Sequence, residues 1–151
     1  MKIFFKALAM FVLAIGMQAG AAAEEKRTPE EAIAMVKKGV AYYKEVGREK
    51  AIAAFNDPKG KFVDGSLYIF AYDMKGINLA SPNPRIIGRN MYEVKDQNGV
   101  RTVKSYIDVA QQKGSGWVDF VWPHPQTGAL QPKSAYIEKV DDILIACGIY
   151  K

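Results

Sequence analysis

The stretch Gly114-Ser-Gly-Trp117-Val-Asp-Phe-Val-Trp122-Pro-His124-Pro-Gln-Thr-Gly128-Ala-Leu-Gln-Pro132-Lys133-Ser-Ala-Tyr136 decides the fold. Two apolar runs flank a connection carrying Pro123, Pro125 and Gly128. That pattern predicts two antiparallel strands joined by a moderately long hairpin loop. Both tryptophans lie in the first run at odd spacing, so a regular strand points them to opposite faces. A Trp on each face predicts a central strand covered on both sides. The second run opens with Lys133 and holds Tyr136. A cation and a phenol beside aromatic walls suit a small anionic ligand. In the plainer alternative the Trps are core and Lys133 is a solvated strand start.

Outward from this hairpin, the last strand is expected at Ile143–Tyr150, after an Asp141-Asp142 turn. On the other side, Val103, Tyr106, Ile107 and Ala110 have one-sided helical spacing, ending near Gly114. Asp96-Gln-Asn-Gly99 reads as a turn. Earlier still, Leu67–Tyr72 alternates, with Leu67, Ile69 and Ala71 on one face and Tyr68, Phe70 and Tyr72 on the other. Both faces are apolar, so this strand is sandwiched. Asp73-Met-Lys-Gly76 turns it into a returning strand at Ile77–Ala80. Ser81-Pro-Asn-Pro84 then breaks the ladder, since neither proline donates an N–H. Arg85 and Arg89 follow on a loop, where guanidinium forks can guard an anion pocket or pair with nearby acids.

Thr28-Pro-Glu-Glu31 is a helix start with a capping box and a proline at the first helical position. Ile33, Val36, Val40 and Tyr43 continue at helical spacing, and the pattern resumes after Gly47 to Asn56. We expect a helical arm of about 28 residues, with Gly47 as its end or a bend. Its apolar stripe must lie on the sheet or on a partner helix, the latter giving a homodimer. The predicted class is α+β: a five-stranded antiparallel sheet, the long helix on one face and a short helical crossover on the other. A cavity between crossover and sheet is the natural site for a small molecule.

Residues 1–23 have the three parts of a secretory signal. Lys2 and Lys6 form a positive start, Ala7–Met17 an apolar run, and Ala19–Ala23 a small-residue cleavage region. The run is shorter than the roughly 20 residues that span a bilayer. An uncleaved anchor is the alternative. The expected mature chain, 24–151, is one exported domain, periplasmic or secreted. The whole chain carries a net charge of +5. Removing the leader keeps it mildly basic, without the Lys/Arg clusters of a nucleic-acid binder. Cys147 is the only cysteine, so no internal disulfide forms, and a buried inert thiol is expected. His124 is the only histidine, placed between two prolines on a loop and expected to be solvated. One histidine does not build a metal site. No nucleophile–base constellation, phosphate loop or dinucleotide fingerprint is present, so neither catalysis nor a cofactor is expected.

Several short motifs together carry a resemblance. They are Tyr68-Ile-Phe-Ala-Tyr-Asp73, Gly76, Leu79-Ala-Ser-Pro82, Gly88-Arg-Asn90 and Asp96-Gln-Asn-Gly99. Gly114-Ser-Gly-Trp-Val118, Trp122-Pro123, Pro132-Lys-Ser-Ala-Tyr136 and Gly148-Ile-Tyr150 follow in order. The chain resembles a single Cache domain of the second single-Cache class, a PAS-like extracellular sensor module of bacterial receptors and kinases. The resemblance implies a pocket for small organic molecules, often short carboxylates. It places Tyr68, Phe70, Tyr72, Trp117, Trp122, Lys133 and Tyr136 near that pocket; Arg85 joins the candidate set on its loop position and guanidinium chemistry alone. Receptors of this kind carry flanking membrane helices and an output domain. This sequence shows only the leader, which implies a free-standing binder acting through a membrane receptor or kinase. A dimeric scaffold without ligand and, third, a small enzyme are the other readings.

Overall fold

The structure, a computed structural model, describes residues 26–151. The expected signal segment lies outside the described residues. Thr28 caps the first helix, α1 (Pro29–Val46): Glu31 N donates to Thr28 Oγ1, and Thr28 N donates to the Glu31 carboxylate. The expected single arm is two helices. It breaks at Gly47, whose φ of 84° leaves the helical region, and α2 (Arg48–Phe55) follows.

Six strands follow, one more than expected. They are β1 (Val63–Asp64), β2 (Leu67–Asp73), β3 (Asn78–Ala80), β4 (Ser115–Pro123), β5 (Leu130–Val140) and β6 (Ile143–Tyr150). Helix α3 (Thr102–Lys113) precedes β4. All strand pairs are antiparallel, in the order β1-β2-β6-β5-β4, and β3 also pairs with β2. The missed strand, β1, is two residues long, too short to show alternation.

This order corrects the sequence reading at β4. The two tryptophans do face opposite sides, yet β4 is an edge strand, not a central one. Coverage of its α1 side is incomplete, and Trp117 stays 38% exposed. The sandwiched strands are β2 and β6, buried through almost their whole length.

The sheet separates two cores. On one face α1 and α2 pack Val36, Val40, Tyr43 and Phe55 against Leu67, Ile69, Ala71, Ile143, Ile145 and Cys147. Most of the α1 stripe is thus spent on this sheet, with Val36 0% and Val40 5% exposed and Ile33 half-buried. On the other face α3 packs Val103, Tyr106, Ile107 and Ala110 against Tyr68, Phe70, Tyr72, Val118, Phe120 and Ala135.

Residues 81–101 cross from β3 to α3 and are tied down by backbone bonds. Asn78 N donates to Arg89 O, Gly88 N to Asn78 O, and Met91 N to Gly76 O. Asp96 does more than form its turn. Its carboxylate accepts from Asn98 N, Val100 N and, across space, Val121 N at 3.0 Å. Pro132, opposite Val121, uses its carbonyl toward the β6 side, accepting from Lys151 N. The Val121 N–H therefore points off the sheet edge, where Asp96 meets it.

Gly76 joins β2 to β3 at φ 88°, and a Cβ there would lie 2.7 Å from Tyr92 Cβ and 3.1 Å from Tyr92 Cα. Backbone and strain both oppose a side chain. Gly76→Ala is expected to lose about 2 kcal/mol in urea unfolding; a loss under about 0.5 kcal/mol would show that the crossover does not pack here.

Candidate functional site

Strand alternation builds the site. On β5, Lys133, Ala135 and Ile137 face the α3 side and are buried. On β6, Leu144, Ala146, Gly148 and Tyr150 share that face by the same alternation. Lys133 lies opposite Tyr150 on one side and Phe120 on the other. Gly148 and Ala135 give a shallow floor beside it. A Cβ at Gly148 would come within 2.5 Å of Lys133 Cε. The bare glycine thus lets the lysine stem run across β6 to reach β2.

There the amine meets phenol oxygens and aromatic rings. Lys133 Nζ donates to Tyr68 Oη at 2.7 Å and, more weakly, to Tyr150 Oη at 3.5 Å. It sits 4.1 Å from the Tyr68 ring centroid, 4.5 Å from that of Tyr150 and 5.8 Å from that of Phe70. Such contacts recover part of the solvation that burial removes. Tyr150 Oη donates to Pro123 O at 2.9 Å, which leaves its oxygen as an acceptor toward the amine.

The residue is 1% exposed, and no ion pair to it occurs among the described residues. Desolvation lowers its pKa from 10.5 to about 7. The same burial pushes Tyr68 and Tyr106 well above 10 and Tyr72 to about 12, so the phenols stay neutral donors.

A cleft opens above this amine, between the sheet and the crossover. The sheet contributes Tyr68, Phe70, Tyr72, Phe120, Trp122 and Lys133. Ser81, Ile86, Thr102, Val103 and Tyr106 close it from the other side. Ser81 is held by Asn56 at the end of α2: Ser81 N donates to Asn56 Oδ1, and Asn56 Nδ2 donates to Leu79 O. The unfilled space is ≈ 340 Å³ including the solvent at its mouth. That is at the low end of the range for small-molecule clefts.

Five of the eight residues singled out from the sequence meet in this cleft: Tyr68, Phe70, Tyr72, Trp122 and Lys133. Trp117 and Tyr136 do not. They stack on each other, centroids 5.5 Å apart, on the α1 side of the sheet. Tyr136 is three positions from Lys133, and an odd offset reverses the face. Arg85 is exposed on the crossover and does not line the cleft. His124 is buried rather than solvated, 2% exposed, its ring 4.6 Å from that of Tyr150. Its Nδ1 accepts from Gln126 N. Cys147 is buried on the α1 side, its thiol pushed up to about 12 by desolvation. Tyr150 and Tyr106 were missed. Tyr150 was within reach, because counting back from the Asp141-Asp142 turn sets Lys133 opposite it.

An antiparallel sheet roofed by a helical crossover, with a buried lysine in an aromatic cleft, defines a PAS-like ligand-sensing domain. The chain matches the family Single Cache domain 2 over residues 17–151 and belongs to it. That family is one of extracellular sensory domains rather than catalysts. Among solved structures the chain is similar to a methyl-accepting chemotaxis protein from Vibrio parahaemolyticus RIMD 2210633. The TM-score is 0.71 at 30% identity, over 80% of this chain and 86% of that one. A periplasmic sensor domain of a chemotaxis protein gives a TM-score of 0.64 at 23% identity, covering 80% and 88%. A Cache chemosensory domain studied for carboxylic acid recognition gives 0.70 at 19%, covering 80% and 91%. No helix among the described residues is long and apolar enough to cross a membrane.

The buried amine has a thermodynamic signature. Its folded pKa, about 7, lies below its ordinary 10.5. Between those values the unfolded chain binds the extra proton, so stability rises with pH across that window. Relative to Lys133→Met, the wild type should gain about 1.4 kcal/mol per pH unit from about pH 7 to about pH 10. Urea unfolding of both proteins across this range measures it, and parallel curves would place the amine in water.

Proposed function

We propose that this chain is a periplasmic sensor for a short monocarboxylic acid, whose carboxylate pairs with Lys133. One observation carries the reading: a lysine 1% exposed, at the foot of a cleft, without an acid partner among the described residues. An isolated buried charge is costly, and an anionic ligand offsets that cost. Among the described residues Lys133 is the only charged side chain in the lining, so the site balances a single negative charge. A dicarboxylate would bury a second anion unpaired. An amino acid would bury an ammonium with no lining carboxylate to answer it. The modest cleft volume and aromatic walls favour an acid with a short apolar tail. The Cache domain studied for carboxylic acid recognition supports the same ligand class.

Export is supported by the leader-like features of residues 1–23 and by the likeness to a periplasmic sensor domain. On this reading 24–151 is the mature domain. Occupancy is passed to a membrane receptor or kinase partner, in keeping with the likeness to a chemotaxis receptor.

Calorimetry with acetate, propionate, butyrate, succinate and glutamate tests the assignment. The monoacids should bind and the other two should not. Lys133→Met should weaken the best monoacid by roughly tenfold to a hundredfold, the worth of a buried charge-assisted bond. Trp117→Phe and Tyr136→Phe should bind as the wild type does, since both lie on the far face. Equal binding by Lys133→Met, or a preference for succinate, would overturn the reading.

A further inference from the structure

We propose that the pocket takes up its acid together with a proton: the empty site holds Lys133 as a neutral amine, and the carboxylate arrives with the hydrogen ion that makes the ammonium. The proposal rests on the carboxylate reading above and adds its linkage to pH. The balance is R–COO⁻ plus H⁺ plus Lys133–NH₂ giving the pair R–COO⁻·⁺H₃N–Lys133, with no other bond changed.

The surroundings of the amine are what call for this. From β2 it faces Tyr68 and Phe70, from β6 Gly148 and Tyr150, from β4 Phe120, and from its own strand Ala135. Tyr72 on β2, with Tyr106, Ser81, Thr102 and Ile86 from α3 and the crossover, completes the lining. Cys147 acts from the opposite face, and its thiol is neutral. His124 lies against the Tyr150 ring. Lining aspartates and glutamates are absent among the described residues. Asp119, on β4, is occupied by Ser134 and Lys151.

The amine's partners suit both of its protonation states. A phenol O–H donates to the lone pair of an amine, and a phenol oxygen accepts from an ammonium. Tyr68, at 2.7 Å, can do either. A carboxylate in its place would have fixed the charge permanently. The near-neutral pKa given above agrees with this geometry. A site so built responds to acid concentration and acidity as a product. A medium that gains both at once, as when cells excrete an acid, drives it harder than the neutral salt does.

Calorimetry of the full chain with acetate, in two buffers of different ionisation heat, reads the proton directly. We expect uptake near one proton per acetate at about pH 8.5 and near none at about pH 5.5. Affinity should be level between about pH 5.5 and about pH 6, where acetate is still the anion, and fall about tenfold per unit above about pH 8. Lysine-selective ¹³C NMR locates the proton. The buried Cε should titrate near neutrality when empty and stay in the ammonium form to about pH 9 with acetate saturating. His124→Gln should keep the slope, whereas Lys133→Arg should lose it. Acetate binding that is independent of pH and of buffer would overturn the proton linkage and leave the carboxylate reading standing. If acetate, propionate and butyrate all fail to bind at about pH 6, both fall.

Discussion

Lys133 is almost wholly withdrawn from water and receives no anion in return from the described residues. Much of the architecture around it serves to make that tolerable. The stem crosses a floor kept low by Gly148 and Ala135, and the amine ends against the faces of Tyr68 and Tyr150. Their quadrupoles and hydroxyls replace part of the lost hydration. What they do not replace is a counter-charge. The domain therefore carries a local cost in stability beside its aromatic cleft, a common arrangement at functional sites.

The fold was legible where short-range chemistry decides it. The Thr28 capping box, the Asp73 turn and the alternation of Leu67–Tyr72 all act within a few residues, and each stands where it was expected. Strand order is a different matter. Nothing local to Ser115–Pro123 says what lies beside it, and a Trp on each face is compatible with an edge when one Trp remains 38% exposed. Likewise the stripe of α1 reads the same whether it meets a sheet or another helix. Only the three-dimensional arrangement assigns Val36 and Val40 to the chain's own core.

The site divides along the same line. Tyr68, Phe70 and Tyr72 share a face by simple alternation, and Lys133 joins them through its strand. The resemblance puts Trp117 and Tyr136 beside the pocket, but Tyr136 is three positions from Lys133 and Trp117 five from Trp122, and odd offsets change face. Tyr150 needed one more step, the register set by the Asp141-Asp142 turn, where Asp141 takes a positive φ of 49°. Ser81, Ile86 and Thr102 depend on how the 81–101 crossover folds back, which is fixed by bonds such as Gly88 N to Asn78 O rather than by any periodic pattern.

The reach of Asp96 to the Val121 amide has an outcome beyond the cleft. Sheets with a bare flank recruit strands from other molecules, and proteins usually blunt that flank with charge or cover. Here the plug belongs to the same segment that supplies Ile86 and leads into Thr102 at the cavity. Cover for the sheet edge and part of the cleft lining thereby come from one loop. A change that lifts it to admit a bulkier guest also uncaps a hydrogen-bonding group, inviting chain-to-chain zippering, so the loop's freedom to evolve new tastes is curbed by the need to keep the protein apart from its own copies.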